Sequence, residues 1–278
     1  MGYRCFEVEV AAKVAHVRMC RPDEHNSMVR ELWTELPALT RELDRGGDVR
    51  AMVLSSTGRH FTSGMDLSVF TGGGLGDGEG ELGRVRAGFR QLVLLLQQTF
   101  SCFERARFPV LVAVQGGCIG AGVDLACAAD LRYASEDAWF VIQETNIGIT
   151  ADVGTLQRLP GLIPAGVARE LALTGRRLHA ARAADLGLVN QVFADHDALV
   201  EGALEVAREI ASKSPLAVWG TKQALNWSRD HSVADGLEHT ATWQSGMFQP
   251  DDVLESIAAR AEKREPDYAD LLPVPEGL

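Results

Sequence analysis

The sequence predicts an α/β fold, with a core of alternating strands and helices over residues 1–193 and a helical C-terminal region over 194–278. Three observations predict it. Short apolar or alternating runs recur between helical patterns, two glycine-bearing turns each follow a strand, and from residue 164 onward nearly every segment has helical spacing. The 278 residues, 46% hydrophobic and 23% charged, suffice to bury a substantial core without disulfide staples.

In chain order, residues 6–10 and 14–19 alternate and are joined by Ala-Ala-Lys, which predicts a hairpin. Asn26 or Ser27 is the expected cap of a helix whose apolar stripe runs Met28, Leu32, Leu36, Leu39, Leu43, with Pro37 as a local kink. A strand is expected over 50–55, a glycine-rich mobile loop over 72–80, and a long amphipathic helix over about 82–104 that ends before Pro109. A buried strand over 110–114, a helix over 120–128 and short strands over 131–134 and 139–142 complete the core pattern. Helices follow over 164–174, 180–186, 195–213, 215–229, 233–248 and 251–263.

Composition narrows the function. A net charge of −11 argues against nucleic acid as a partner, because phosphate binding needs a basic footprint. No apolar run approaches the roughly 20 residues that span a bilayer, so no membrane partner is expected. The N-terminus lacks the layout of a secretory signal and the five cysteines form no C-x-x-C pair, from which a cytoplasmic protein with reduced thiols is expected. Neither a G-x-S-x-G elbow nor a His- or Cys-rich cluster is present, which disfavours a serine hydrolase and a metal site.

Three segments carry chemistry. Residues 61–67, Phe-Thr-Ser-Gly-Met-Asp-Leu, follow a strand and turn at a glycine, which can expose a backbone N–H. Residues 116–125, Gly-Gly-Cys-Ile-Gly-Ala-Gly-Val-Asp-Leu, close a strand and open a helix whose first amides are free. Two such turns can aim two amides at one oxygen and form an oxyanion hole. A dinucleotide fingerprint fits the second segment poorly, since Leu125 stands where the third glycine belongs. The third segment, 143–160, carries Glu144 and Asp152 eight residues apart among small or apolar neighbours. Asp152 is also a candidate cap for a helix starting at Val153, whereas Asp124, one turn into an apolar helix, is harder to explain as a cap or a solvated charge, because burying a lone charge is costly.

These segments, with Arg21-Pro22 and Asn26 before them, resemble the crotonase (enoyl-CoA hydratase/isomerase) superfamily over most of the chain, and within it the Δ3,5-Δ2,4-dienoyl-CoA isomerases. The resemblance implies a ββα spiral core with a helical C-terminal trimerisation region, and a homotrimer or homohexamer. It implies an acyl-CoA substrate and no separate cofactor or metal, coenzyme A being part of the substrate. It assigns the oxyanion hole to the N–H groups of Met65 and Ala121, the latter standing where the family has glycine. In the hydratases the positions of Asp124, Glu144 and Asp152 are Glu, Glu and Gly; in the dienoyl isomerases they are Asp, Glu and Asp, as here.

The implied activity is isomerisation of a 3,5-dienoyl-CoA to the 2,4-dienoyl-CoA, a step of fatty-acid β-oxidation. Glu144 and Asp152 would exchange protons at carbons 2 and 6, in that order or the reverse, and Asp124 would tune the pair. Arg59 and Lys263 are candidate contacts of the CoA moiety, and His25 and His60 are expected to be polar loop residues. An enoyl-CoA hydratase, or a catalytically silent scaffold or RNA-binding member of the same fold, are the alternatives.

Overall fold

The computed structural model describes residues 2–66, 68–71 and 81–275. The glycine loop expected over 72–80 lies outside the described residues. The chain opens with strands β1 (Phe6–Ala11) and β2 (Val14–Met19), paired antiparallel from Phe6↔Met19 to Ala11↔Val14. The strand therefore runs one residue further than its alternation predicts, and a two-residue turn remains. Ala12 and Lys13 both take positive φ there, 49° and 64°, the conformation whose twist matches a hairpin, here adopted without glycine.

Helix α1 (Arg30–Gly46) buries Leu32, Leu36 and Leu39 as its stripe predicts. Its N-cap is Val29, without a side-chain cap, which corrects the expectation of Asn26 or Ser27. Buried Asn26 is spent on long-range ties instead. Its Oδ1 accepts the Arg21 N–H at 2.9 Å and its Nδ2 donates to the carbonyls of Thr57 and His60 at 2.8 and 3.1 Å. Ser27 Oγ donates to Asp66. Pro37 lies inside α1 and cannot donate to the Trp33 carbonyl one turn back. The Thr99 hydroxyl donates to that carbonyl at 3.1 Å, so the proline is accommodated by a partner from another helix.

The remaining elements follow as β3 (Ala51–Ser56), α2 (Ser68–Thr71), α3 (Leu82–Arg105), β4 (Val110–Val114), β5 (Gly117–Ile119), α4 (Ala121–Ala128), β6 (Leu131–Ser135) and β7 (Trp139–Val141). After a 3₁₀ turn at Glu144–Ile147 come α5 (Thr155–Arg158), α6 (Ala165–Thr174), β8 (Leu178–His179), α7 (Ala180–Asp185) and β9 (Gln191–Phe193). Four helices end the chain: α8 (His196–Ala211), α9 (Pro215–Asp230), α10 (Val233–Met247) and α11 (Pro250–Glu262). Among the described residues no helix is long and apolar enough to cross a membrane.

Two sheets result. The larger has the order β1-β2-β3-β4-β6-β9, parallel from β2 onward; the smaller is β5-β7-β8. The inner strands are apolar on both faces because both faces are covered. In β4, Val110, Val112 and Val114 join the main core with Met52, Leu54 and Phe103, while Leu111 and Ala113 face a second core. That second core is closed by Leu199, Ala203, Ala207 and Ala211 of α8, so packing against the sheet continues beyond residue 193. Helix α9 is docked by the buried Lys222, whose Nζ donates to the carbonyls of Phe103 and Phe108 and to Asp130 at 2.6 to 2.8 Å. All three donors of the buried ammonium are thus paired.

Candidate active site

The two glycine turns meet. A parallel bridge joins Thr62 to Cys118, through Thr62 N–H to the Gly117 carbonyl at 3.1 Å and Ile119 N–H to the Thr62 carbonyl at 3.2 Å. Gly64, at φ +85°, sits so close to β5 that an added Cβ would stand 2.6 Å from the Ile119 carbonyl oxygen and 3.6 Å from the Ala121 nitrogen. On either side of Met65, the Gly64 N–H donates to Thr62 Oγ1 and the Asp66 N–H to the Met28 carbonyl. The Met65 N–H takes part in neither. Ala121 is the first residue of α4, where an amide has no carbonyl within the helix to reach, and Gly120 N–H before it is taken by Val141. Two adjoining turns thus each offer an uncommitted N–H. Ala121 occupies an ordinary helical position, so its methyl group meets no conformational objection.

Both turns open on a cavity of about 1120 Å³. Its lining includes Met65 and Ala121, the carboxylates Glu144 and Asp152, and an apolar wall of Phe89, Val93 and Leu96 from α3 faced by Ile147, Ile149 and Val153. Gly120, at φ +53°, lets Glu144 approach, since a Cβ there would lie 3.1 Å from Glu144 Oε1. Glu144 itself is 9% exposed, and its Oε2 is buried with no protein partner. Burial, followed by repulsion from Asp124, pushes its carboxyl up to about 7.

Asp124 does not line the cavity. It is fully buried within α4, and its Oδ1 accepts the Thr155 N–H at 2.5 Å. Burial raises this carboxyl to about 6, opposed by the Thr155 hydrogen bond. The helix after Asp152 is therefore α5, with Gly154 as N-cap, and its first amide is capped from across the fold by Asp124. Asp152 caps nothing. The residue is solvent-accessible on the cavity wall, where partial desolvation by its surroundings raises its carboxyl as well, and its carbonyl accepts Gln97 Nε2 at 2.7 Å.

The other candidate residues are placed differently. Arg59 and Lys263 are exposed and neither is among the cavity's lining residues; the arginine that is there is Arg177, whose guanidinium lies 3.9 Å above the Trp139 ring. His25 lines the mouth, and His60 is more than a loop residue, since its Nδ1 accepts the Gly117 N–H at 3.0 Å. That bond fixes a neutral imidazole with its proton on Nε2, consistent with a pKa lowered by burial and by Arg59. Neither Trp139–Arg177 nor His60–Gly117 has a local sequence signal. Among the described residues no group of three or more His, Cys, Asp and Glu side chains is arranged to hold a metal ion.

Glu144 has a testable cost. Its carboxyl titrates near 4.5 when unfolded and about 7 when folded, so the native state binds this proton more tightly. Stability is then lost as pH rises between those values. Glu144→Gln removes the titration, and is expected to be more stable than the parent in urea at pH 8, with the difference closing below about pH 4.5. An equal stability difference at both pH values would contradict this.

Comparisons with known proteins show the family to which the fold belongs. The enoyl-CoA hydratase/isomerase family model matches residues 9–271. The mitochondrial delta(3,5)-delta(2,4)-dienoyl-CoA isomerase of Homo sapiens is 42% identical over 266 residues, covering 95% of this chain and 81% of that protein. The peroxisomal one of Arabidopsis thaliana is 42% identical, covering 97% of this chain and 99% of its own. The crystal structure of an enoyl-CoA hydratase from Bacillus anthracis superposes with a TM-score of 0.85 at 31% identity, covering 95% of this chain and 99% of the other. The α/β core, the paired glycine turns and these matches together make the chain an enzyme of the enoyl-CoA hydratase/isomerase family.

Proposed function

We propose that this enzyme isomerises a 3,5-dienoyl-CoA to the 2,4-dienoyl-CoA by carboxylate-mediated proton transfer. The observation that carries the reading is a third carboxylate, Asp152, on the wall of the cavity that also holds Glu144 and the Met65 and Ala121 turns. The likeness to dienoyl-CoA isomerases over almost the whole chain supports it. Hydration of an enoyl thioester needs acid and base on one water; moving two conjugated double bonds needs proton exchange at two carbons four apart.

The thioester oxygen accepts the Met65 and Ala121 N–H groups. Glu144, ionised, removes a proton from carbon 2, and the electron pair spreads through the diene as a dienolate whose oxygen those two amides stabilise. Protonated Asp152 then delivers a proton to carbon 6, which leaves double bonds at carbons 2 and 4. Glu144 ends protonated and Asp152 ionised, so a proton returns between them before the next cycle. The raised carboxyls suit this exchange, since one group must hold a proton near neutral pH while the other gives it up. Buried Asp124 adds negative charge that keeps Glu144 basic. The substrate's own CoA supplies the thioester, and the reading includes no resident cofactor.

The same reading includes a homotrimer or homohexamer built through the C-terminal helices. Leu225, Leu237, Phe248, Leu254 and Ile257, on α9 to α11 and the turn between them, are each between 59 and 68% exposed in the single chain, which supports a covering partner surface.

The test is an ultraviolet assay of the purified protein with a 3,5-dienoyl-CoA and, separately, a 2-enoyl-CoA. The conjugated 2,4-diene should accumulate, with little loss of the enoyl band. Hydration alone would overturn the reading in favour of an enoyl-CoA hydratase, and silence on both would direct attention to a different CoA ester or to a silent member of the fold.

A further inference from the structure

Helix α3 meets the site with two stripes. Phe89, Val93 and Leu96 line the cavity, while Gln97, Ser101 and Glu104, also at helical spacing, hold the segment that carries Asp152. Gln97 Nε2 donates to the Asp152 carbonyl at 2.7 Å. Arg158 donates through Nη2 to Ser101 Oγ at 2.9 Å, and through Nε and Nη2 to the two Glu104 oxygens at 3.0 and 2.9 Å. This is a two-pronged ion pair with side chains only 13% and 18% exposed.

The turn is shaped around the guanidinium. Nη1 donates to the Val153 carbonyl at 3.5 Å, and a Cβ at Gly154, which has φ +136°, would stand 1.9 Å from Nη1. The next amide, Thr155, is the one that Asp124 accepts. Arg229 of α9 also donates to Glu104, at 2.6 Å, and pairs with Asp230 in turn. The Arg158 guanidinium is thus a plug in the turn, seated on Glu104.

We propose that Glu104 is a positioning residue of this active site, which acts through the Arg158 guanidinium to fix the 152–155 turn, and with it Asp152 and the amide that holds Asp124. The role of Asp152 in this statement rests on the function proposed above; the hold on Asp124 does not. Glu104 also sets charge. Arg158 draws the Asp124 carboxyl down against burial, and Glu104 neutralises part of that pull. The other groups that interact with Asp124 are Asp152, Glu144, Cys118 and Cys127. With Glu104 neutral, the Arg158 charge is less compensated, and Asp124 should ionise at lower pH.

The experiment compares Glu104→Gln and Glu104→Asp in the full chain, reading kcat and KM on a 3,5-dienoyl-CoA and the infrared titration of carboxyl groups in the free protein, with Asp124→Asn to assign the band. Glu104→Gln should lower kcat by about tenfold or more with KM within about threefold, because a misplaced reacting group costs turnover rather than binding. The Asp124 titration should move to lower pH, and Glu104→Asp should restore part of both effects. A lower melting temperature with kcat and the Asp124 titration unchanged would reduce Glu104 to a structural salt bridge and overturn the proposal. Should Glu104→Gln not fold, Glu104→Asp decides: lower kcat at constant KM with the Asp124 titration moved supports the clamp, and unchanged kinetics and titration overturn it. A parent protein with no dienoyl-CoA activity would defeat the proposed function alone, since the infrared shift still reports whether Glu104 acts on Asp124.

Discussion

Asp152→Asn is expected to lower kcat for dienoyl-CoA isomerisation by about 10²- to 10⁴-fold, the range associated with removing a positioned proton-transfer group. Folding should survive, because the side chain is exposed and it is the Asp152 carbonyl that is tied down, by Gln97. The amide keeps the shape of the carboxyl and cannot deliver a proton to carbon 6. One secondary effect has a definite sign. When ionised, Asp152 contributes to raising both Glu144 and Asp124, so in the free enzyme the replacement should move the Glu144 titration below about 7. Steady-state kinetics across pH, with circular dichroism to verify the fold, gives the answer. Full activity of Asp152→Asn would remove the third carboxylate from the mechanism and return the site to a two-carboxylate hydratase.

Ala121→Pro is expected to cost about 10² to 10³ in kcat, or about 2.7–4 kcal/mol, which is the usual loss of one oxyanion donor. Proline is normally a damaging replacement in a helix, but the first helical position is where it is best tolerated, because that N–H has no helical acceptor to lose. The substitution therefore deletes a single hydrogen-bond donor from the site while α4 keeps its start. KM should rise as well, since the ring Cδ stands where the thioester oxygen would meet the amide, but the larger loss falls on kcat because the amide is worth most when charge has moved onto that oxygen. Isomerisation at more than about a tenth of the parent rate would mean that this amide is not a principal donor.

The sequence reveals the parts of this molecule that depend on local pattern. The hairpin, the long helices and β4 are legible because their apolar periodicity is set by faces that pack on one side or on both. Strands β5, β8 and β9 are two or three residues long and carry no periodicity; pairing partners far along the chain define them. The same division runs through the site. Asp124, Glu144, Asp152 and the two glycine turns are visible as residue types in unusual surroundings, and family likeness gives them a common purpose. The ties of Asn26, the cap that Asp124 supplies to α5 and the Glu104–Arg158 pair are invisible, because each joins residues between five and fifty-four positions apart through geometry that only the fold creates. Caps are the clearest example: Asn26 and Asp152 both have a capping side chain near a helix start, yet Asn26 is spent on other ties and leaves α1 without a side-chain cap, and the first amide of α5 goes to Asp124.

The donors proposed at Met65 and Ala121 belong to the main chain, and each follows a glycine in a left-handed or related conformation, at φ +85° and +53°. What makes each turn is therefore written one position before the residue that does the work. The half-buried side chain at 65 can change with the shape of the acyl group, provided it does not become proline, while the methyl group at 121 is packed in the core, and a β-carbon at 64 or 120 would strike the Ile119 carbonyl or crowd the Glu144 carboxylate. Engineering of substrate preference in this enzyme can begin at position 65 itself, where a catalytic site would ordinarily be least open to alteration.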